Sequence, residues 1–98
     1  MSLEIHKVLV LSTAHMTEGD SNLLPYAEEY GLVVYEMDEF GWMIYVNDEY
    51  LQKVLPPELS DFSDGFKQAI KLAQKNGCEW LRFDRDANTV EQLPEYEW

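Results

Sequence analysis

Polar and apolar positions along the chain change their period several times, and each change predicts an element. Residues 5–12, IHKVLVLS, are β-branched and apolar with little alternation. That pattern predicts a strand buried on both faces and central in a sheet. Thr17 with Asp20 three residues on resembles a capping box with Asp in place of Glu. It predicts a helix over roughly 18–29 with Leu23, Leu24 and Ala27 inward. Pro25 lies inside that span and removes a backbone donor, so the helix should be short or broken. Gly31 is a natural stop.

From Leu32 to Asn47 the period becomes two. Val33, Tyr35 and Met37 alternate with Val34 and Glu36, then Trp42, Ile44 and Val46 alternate with Met43 and Tyr45. Acidic residues followed by Gly41 suit a hairpin loop of three to four residues. Trp42 and Tyr35 are expected in the core. Residues 48–55 suit one or two helical turns, and Pro57 suits the first position of a new helix. Leu59, Phe62, Phe66, Ile70 and Ala73 then recur at helical spacing, with Ala69 widening the face. Gly65 interrupts that face at a cost of ~1 kcal/mol relative to Ala. Lys67, Lys71 and Lys75 mark the opposite, solvated stripe, and Asn76-Gly77 ends the helix. Residues 79–85 form the last strand, with Leu81 and Phe83 on one face and Arg82 and Asp84 on the other. A brief pairing around Thr89–Gln92 is expected after it.

The order β-α-β-β-α-β predicts a single α+β domain over residues 1–98, a two-layer sandwich. A ferredoxin-like arrangement is the first expectation and another two-layer α/β sandwich the alternative. The length, 98 residues, suits one domain. With 46% hydrophobic and 13% aromatic residues, the composition supports a packed core rather than disorder. Cys78 is the lone cysteine, so no intrachain disulfide is possible. Together with the lack of a signal-like or membrane-spanning run, this points to the cytoplasm.

Charge sharpens the picture. The net charge is −12, which disfavours direct contact with nucleic acid or an anionic membrane. Residues 16–66 hold twelve acids and only Lys53, a net of −11. Residues 67–85 hold five bases against Glu79 and Asp84, a net of +3. Glu28 and Glu29, the cluster Glu36, Asp38 and Glu39, and the pair Asp48 and Glu49 are therefore the candidate contacts for a basic partner. Tyr26, Tyr30, Phe40, Trp42 and Tyr50 lie among them as candidate anchors.

Candidate chemistry is sparse. Asp84, Asp86 and Asn88, with Glu95 at the twelfth position, match part of a calcium loop. Thr89 stands where that loop needs glycine, and a strand rather than a helix leads in. The plainer expectation is an Asx turn, with Asp84 or Asp86 pairing with Arg82 or Arg85. Ser12-Thr13-Ala14-His15 follows the first strand, where His15 as base with Ser12 or Thr13 as nucleophile is the catalytic alternative. No Gly-x-Ser-x-Gly elbow surrounds these residues, and a structural hydrogen bond is the plainer expectation for His15. There is no Cys-x-x-Cys pair and no glycine-rich phosphate loop, so no cofactor is expected. Tyr96 and Trp98 either pack back on the domain, which is the expectation, or form a docking peptide.

Several segments resemble a family of short acidic bacterial proteins of unknown function, often encoded on plasmids and other mobile elements. They are Val10-Leu-Ser-Thr-Ala-His15, Tyr30-Gly31 with Gly41-Trp42, Asn76-Gly-Cys-Glu-Trp80, Phe83-Asp-Arg-Asp86 and Leu93-Pro-Glu-Tyr-Glu-Trp98. The resemblance implies an accessory role and lends no catalytic residues. It also marks His15, Asp84, Arg85, Asp86, Tyr96 and Trp98 as a possible shared site. The function expected first is a non-enzymatic acidic protein that binds a basic protein partner, as a nucleic-acid mimic or as an inhibitor of a defence or toxin protein. The alternatives are a small metal-dependent or hydrolytic enzyme using His15 with Asp84 and Asp86, and a structural subunit that forms a homodimer through an exposed strand edge.

Overall fold

The alternating segments form a single sheet in the computed structural model, which describes residues 3–30, 32–38, 40–47 and 61–96. Its strands are β1 (Val8–Ser12), β2 (Val34–Glu36), β3 (Gly41–Tyr45) and β4 (Trp80–Asp84), in the spatial order β1-β4-β3-β2. β1 is parallel to β4, and the β4–β3 and β3–β2 pairs are antiparallel. A 3-10 turn, Thr13–His15, leads to α1 (Glu18–Leu23). A 3-10 stretch over Leu24–Tyr30, kinked at Tyr26, continues α1, and α2 (Asp64–Lys75) precedes β4. The β-α-β-β-α-β order of an α+β sandwich is therefore present, roughly as in a ferredoxin-like fold, with the first and last strands as neighbours.

Register explains the core. Leu9, Leu81 and Ile44 lie side by side, as do Leu11, Phe83 and Trp42, so these residues share one face. Phe66, Ala69, Ile70 and Ala73 of α2 and Leu24 and Ala27 of the first helical segment are buried in the same core. The Phe66 ring stacks against Phe62 at 4.4 Å and lies 5.8 Å from Phe83. The other sheet face carries Trp80, with Tyr45 at 5.1 Å and Tyr35 at 5.9 Å.

Several local expectations hold. Thr17 and Asp20 form the reciprocal capping box, and the first helix breaks as Pro25 requires. The pair Met37–Gly41 closes the hairpin loop, with Met37 N–H donating to Gly41 O at 2.8 Å. Gly77, with φ of +72°, takes the left-handed position after Asn76 at the end of α2.

Four expectations need correction. Among the described residues β1 is an edge strand, not a central one, because only its β4 side is paired and Val8 and Val10 are exposed. An unbroken aliphatic run does not distinguish burial on two faces from an edge strand with one apolar face outward. Tyr35 is 59% exposed, because the hairpin register puts Val34 and Glu36, not Tyr35, on the face of Trp42 and Ile44. α2 starts at Asp64 with Ser63 as N-cap, so Phe62 is core without being helical. No strand forms at Thr89–Gln92, where Val90 N–H is directed to His15 instead. The expected stop at Gly31, the turns over 48–55, the Pro57 start and the residues Glu39, Asp48, Glu49, Tyr50 and Trp98 lie outside the described residues.

Candidate functional site

The 3-10 turn after β1 places His15 inside the molecule, fully buried. Its Nε2 accepts from Val90 N–H at 2.9 Å, so the ring proton must sit on Nδ1, which donates to Pro94 O at 2.7 Å. Both nitrogens are thus held by the segment that follows β4. Ser12 Oγ accepts from Ala14 N–H at 3.1 Å and caps the turn. Neither ring nitrogen remains to take a proton from Ser12 or Thr13 in this arrangement.

Tyr96 completes the same junction. Its N–H donates to Ala14 O at 2.8 Å, and its hydroxyl accepts from Gly65 N–H at 3.1 Å in the first turn of α2. A Cβ on Gly65 would collide with His15 O and lie 2.6 Å from Tyr96 Cε2. The glycine that looks like a flaw in the helical pattern is therefore what lets three segments meet. The Ser-Thr-Ala-His and Leu-Pro-x-Tyr segments converge here as a structural lock.

Asp20 adds a second tie at this end of the molecule. It is buried, and its carboxylate accepts from Thr17 N–H, Ser63 N–H and the Ser63 hydroxyl. Three donors satisfy the charge where it lies, as a buried carboxylate requires. One of the twelve acids of residues 16–66 is thereby removed from the surface.

The Asp84 side chain does not bond to this lock, although Asp84 pairs with Ser12 across β4 and β1. Asp84 shares the face of Trp80 and Arg82, opposite the core face of Phe83. Its carboxylate accepts from Arg82 at 3.0 Å and from Asp86 N–H at 2.9 Å, which is the Asx turn expected there. Arg85 lies over the Phe40 ring at 5.2 Å, and its Nε is 4.0 Å from Asp86. Asn88 and Glu95 are exposed. Among the described residues no group of three or more His, Cys, Asp or Glu side chains is placed to hold a metal ion. Cys78 is buried just before β4. His15 is thus brought to Tyr96, while the carboxylate bonds of Asp84 go to its own strand and to the turn after it.

Among the described residues two groups titrate away from their ordinary values. Burial pushes the Tyr30 hydroxyl up, and its 3.1 Å bond to Asp61 adds to this. The Lys7 N–H, 2.7 Å from Glu79, holds that carboxyl below the usual glutamate value, against an opposing desolvation.

A further feature is a groove of about 640 Å³ between the 3-10 stretch Leu24–Tyr30 and β2. Glu28, Glu29 and Glu36 line it together with Tyr26, Tyr35 and Trp42. No lysine or arginine does so among the described residues. Three of the candidate partner contacts therefore share one concave surface. Asp38 is exposed at the hairpin turn, with φ of +53°, next along the chain from that surface. The place of Tyr35 here went unforeseen in the sequence. The sign that was available is the pairing parity set by a loop closed at Gly41.

No curated protein and no solved structure matches the chain. Among the described residues no helix is long and apolar enough to cross a membrane. The model of a family of unknown function, in its C-terminal domain, matches residues 8–98. That stretch takes in all four strands, both halves of the His15 lock and the acidic groove. The chain therefore belongs to the DUF5983 family of unknown function, through the C-terminal domain of that family.

Proposed function

We propose that this protein is a non-enzymatic acidic interaction protein whose groove binds a basic protein partner. The observation that carries the reading is the gathering of Glu28, Glu29 and Glu36 around Tyr26, Tyr35 and Trp42 in one concavity. Exposed aromatics supply contact area with few rotamers to lose, and the carboxylates supply long-range attraction and register. A concave acidic surface of this kind suits a protruding basic segment that normally contacts phosphates, such as one of a nuclease, toxin or other nucleic-acid-binding protein of a bacterial host. The protein would then act as a mimic or inhibitor in the cytoplasm. The alternative of hydrolysis gains nothing from His15, whose ring is taken up by Val90 and Pro94.

The test is a pair of charge-matched variants. Glu28, Glu29 and Glu36 are changed together to Lys, and in a control Asp86, Glu91 and Glu95 are changed to Lys. Both sets are exposed and alter net charge equally. Basic nucleic-acid-binding proteins are then titrated against each at low and high salt. The reading requires salt-sensitive binding that the groove variant loses and the control keeps. Equal losses in the two variants would reduce the groove to part of a solvated acidic surface.

A further inference from the structure

Among the described residues β2 is the outer strand of the sheet on its side, bonded only to β3. Its register decides which of its backbone groups are spent. Val33 O accepts from Tyr45 N–H at 3.0 Å, and Met37 N–H donates to Gly41 O at 2.8 Å. These odd-numbered residues, with Tyr35 opposite Met43, are the hydrogen-bonded pairs of the antiparallel ladder. The N–H and C=O groups of Val34 and Glu36 therefore point away from β3. Among the described residues no hydrogen bond reaches these outward groups.

The groove runs along that same edge. It is lined by every residue from Leu32 to Glu36. A cavity over one face of a strand touches alternate residues, whereas one along its edge touches consecutive ones. Unpaired ladder groups in a concave channel are a template for another strand. Glu28 and Glu29 face this channel from the 3-10 stretch, and Glu36 faces it from β2 itself.

We infer that the groove binds an extended basic segment of the partner as an added strand on β2. The inference rests on the acidic-groove reading and deepens it by naming the form of the ligand. The segment pairs with the outward groups of Val34 and Glu36. Successive side chains of a strand point to opposite faces, so its cationic residues fall at every second position. One set then meets Glu28, Glu29 and Glu36, and the other passes beside Tyr35. A compact basic patch or a cationic helix would satisfy the carboxylates but not the strand edge.

The probe is a capped six-residue peptide alternating Arg and Thr, titrated with the full chain at low salt. Two further peptides carry N-methyl groups, one on the Arg amides and one on the Thr amides. Only one alternate set of amides can face β2. The inference therefore expects roughly a tenfold loss of affinity for one methylated peptide, corresponding to two lost hydrogen bonds, and little change for the other. Bound parent peptide should also slow amide exchange at Val34 and Glu36. Val34→Pro removes one outward donor without touching a β3 bond and should weaken the parent peptide. If binding depends on Glu28, Glu29 and Glu36 but ignores both methylations and leaves the two amides exchanging as before, strand addition is overturned while the acidic-groove reading stands. If the peptide does not bind at all, both are overturned.

Discussion

The carboxylate of Asp20 accepts both the backbone N–H of Ser63, at 2.8 Å, and its hydroxyl. One residue therefore serves two helices. Within α1, Asp20 closes the capping box with Thr17, and through Ser63 it orients the N-cap of α2, whose Oγ accepts from Phe66 N–H at 3.2 Å. α1 and α2 are joined at their N-termini by a buried charge, where the helix dipoles favour an anion.

Asp20→Ala should cost about 2–4 kcal/mol, because it strands buried donors in addition to losing a cap. Asp20→Asn should recover little of this. Three donors already converge on the two carboxylate oxygens, and an amide would turn a fourth donor toward one of them. Urea unfolding of both variants checks the order. A stability for Asp20→Asn close to wild type would mean that the amide finds an acceptor and that the charge is dispensable.

Gly65→Ala should destabilise the protein by about 1–3 kcal/mol, although alanine is the better helix former by ~1 kcal/mol. The added methyl collides with His15 O and meets Tyr96 Cε2 at 2.6 Å. Of these neighbours only the tyrosine ring can swing aside. The double variant Gly65→Ala with Tyr96→Ala should therefore regain only part of the loss in thermal melting. Full recovery would show that the backbone of His15 does not constrain the site.

Local grammar was readable where its partners are close in sequence. The Thr17–Asp20 box, the Leu81 and Phe83 alternation and the Asn76-Gly77 stop each depend on residues within a few positions. The family likeness was legible for the same reason, through short segments. What escaped is tertiary. Asp20 reads as one more surface acid until Ser63 arrives from 43 residues away. Gly65 reads as a weak point until Tyr96 lies across it. The edge position of β1 depends on which strand β4 chooses to flank, which an aliphatic run cannot specify. The acidic face was legible as charge, but its concavity needed the kink at Tyr26 and the register of β2.

His15 should show the Nδ1–H tautomer in its imidazole nitrogen shifts, since Nε2 faces the Val90 N–H. His15→Ala removes the partners of both Val90 N–H and Pro94 O, and a loss of about 2–4 kcal/mol is expected. Amide exchange should rise at Val90 and Tyr96 well above the change in β3, because the variant unties the segment after β4 from the first loop. Uniform acceleration across the sheet would instead make His15 a general core residue.

Glu79 gives the pH dependence its sign. Its carboxylate accepts Lys7 N–H at 2.7 Å, while Glu79 N–H donates to Lys7 O at 3.1 Å, pinning the residue before β1 to the residue before β4. The folded state therefore holds the Glu79 carboxyl below its ordinary value of 4.5. A group depressed by folding stabilises the protein above its unfolded pKa and loses that contribution as pH falls through the folded one. The wild type should accordingly lose stability from about pH 4.5 downward, partly through this residue. Glu79→Gln keeps an acceptor for Lys7 but no longer titrates. Its melting temperature should start slightly lower at neutral pH and fall less between neutral pH and pH 3. If both proteins decline in parallel over that range, the acid sensitivity belongs to other carboxylates and the Lys7 contact carries no share of it.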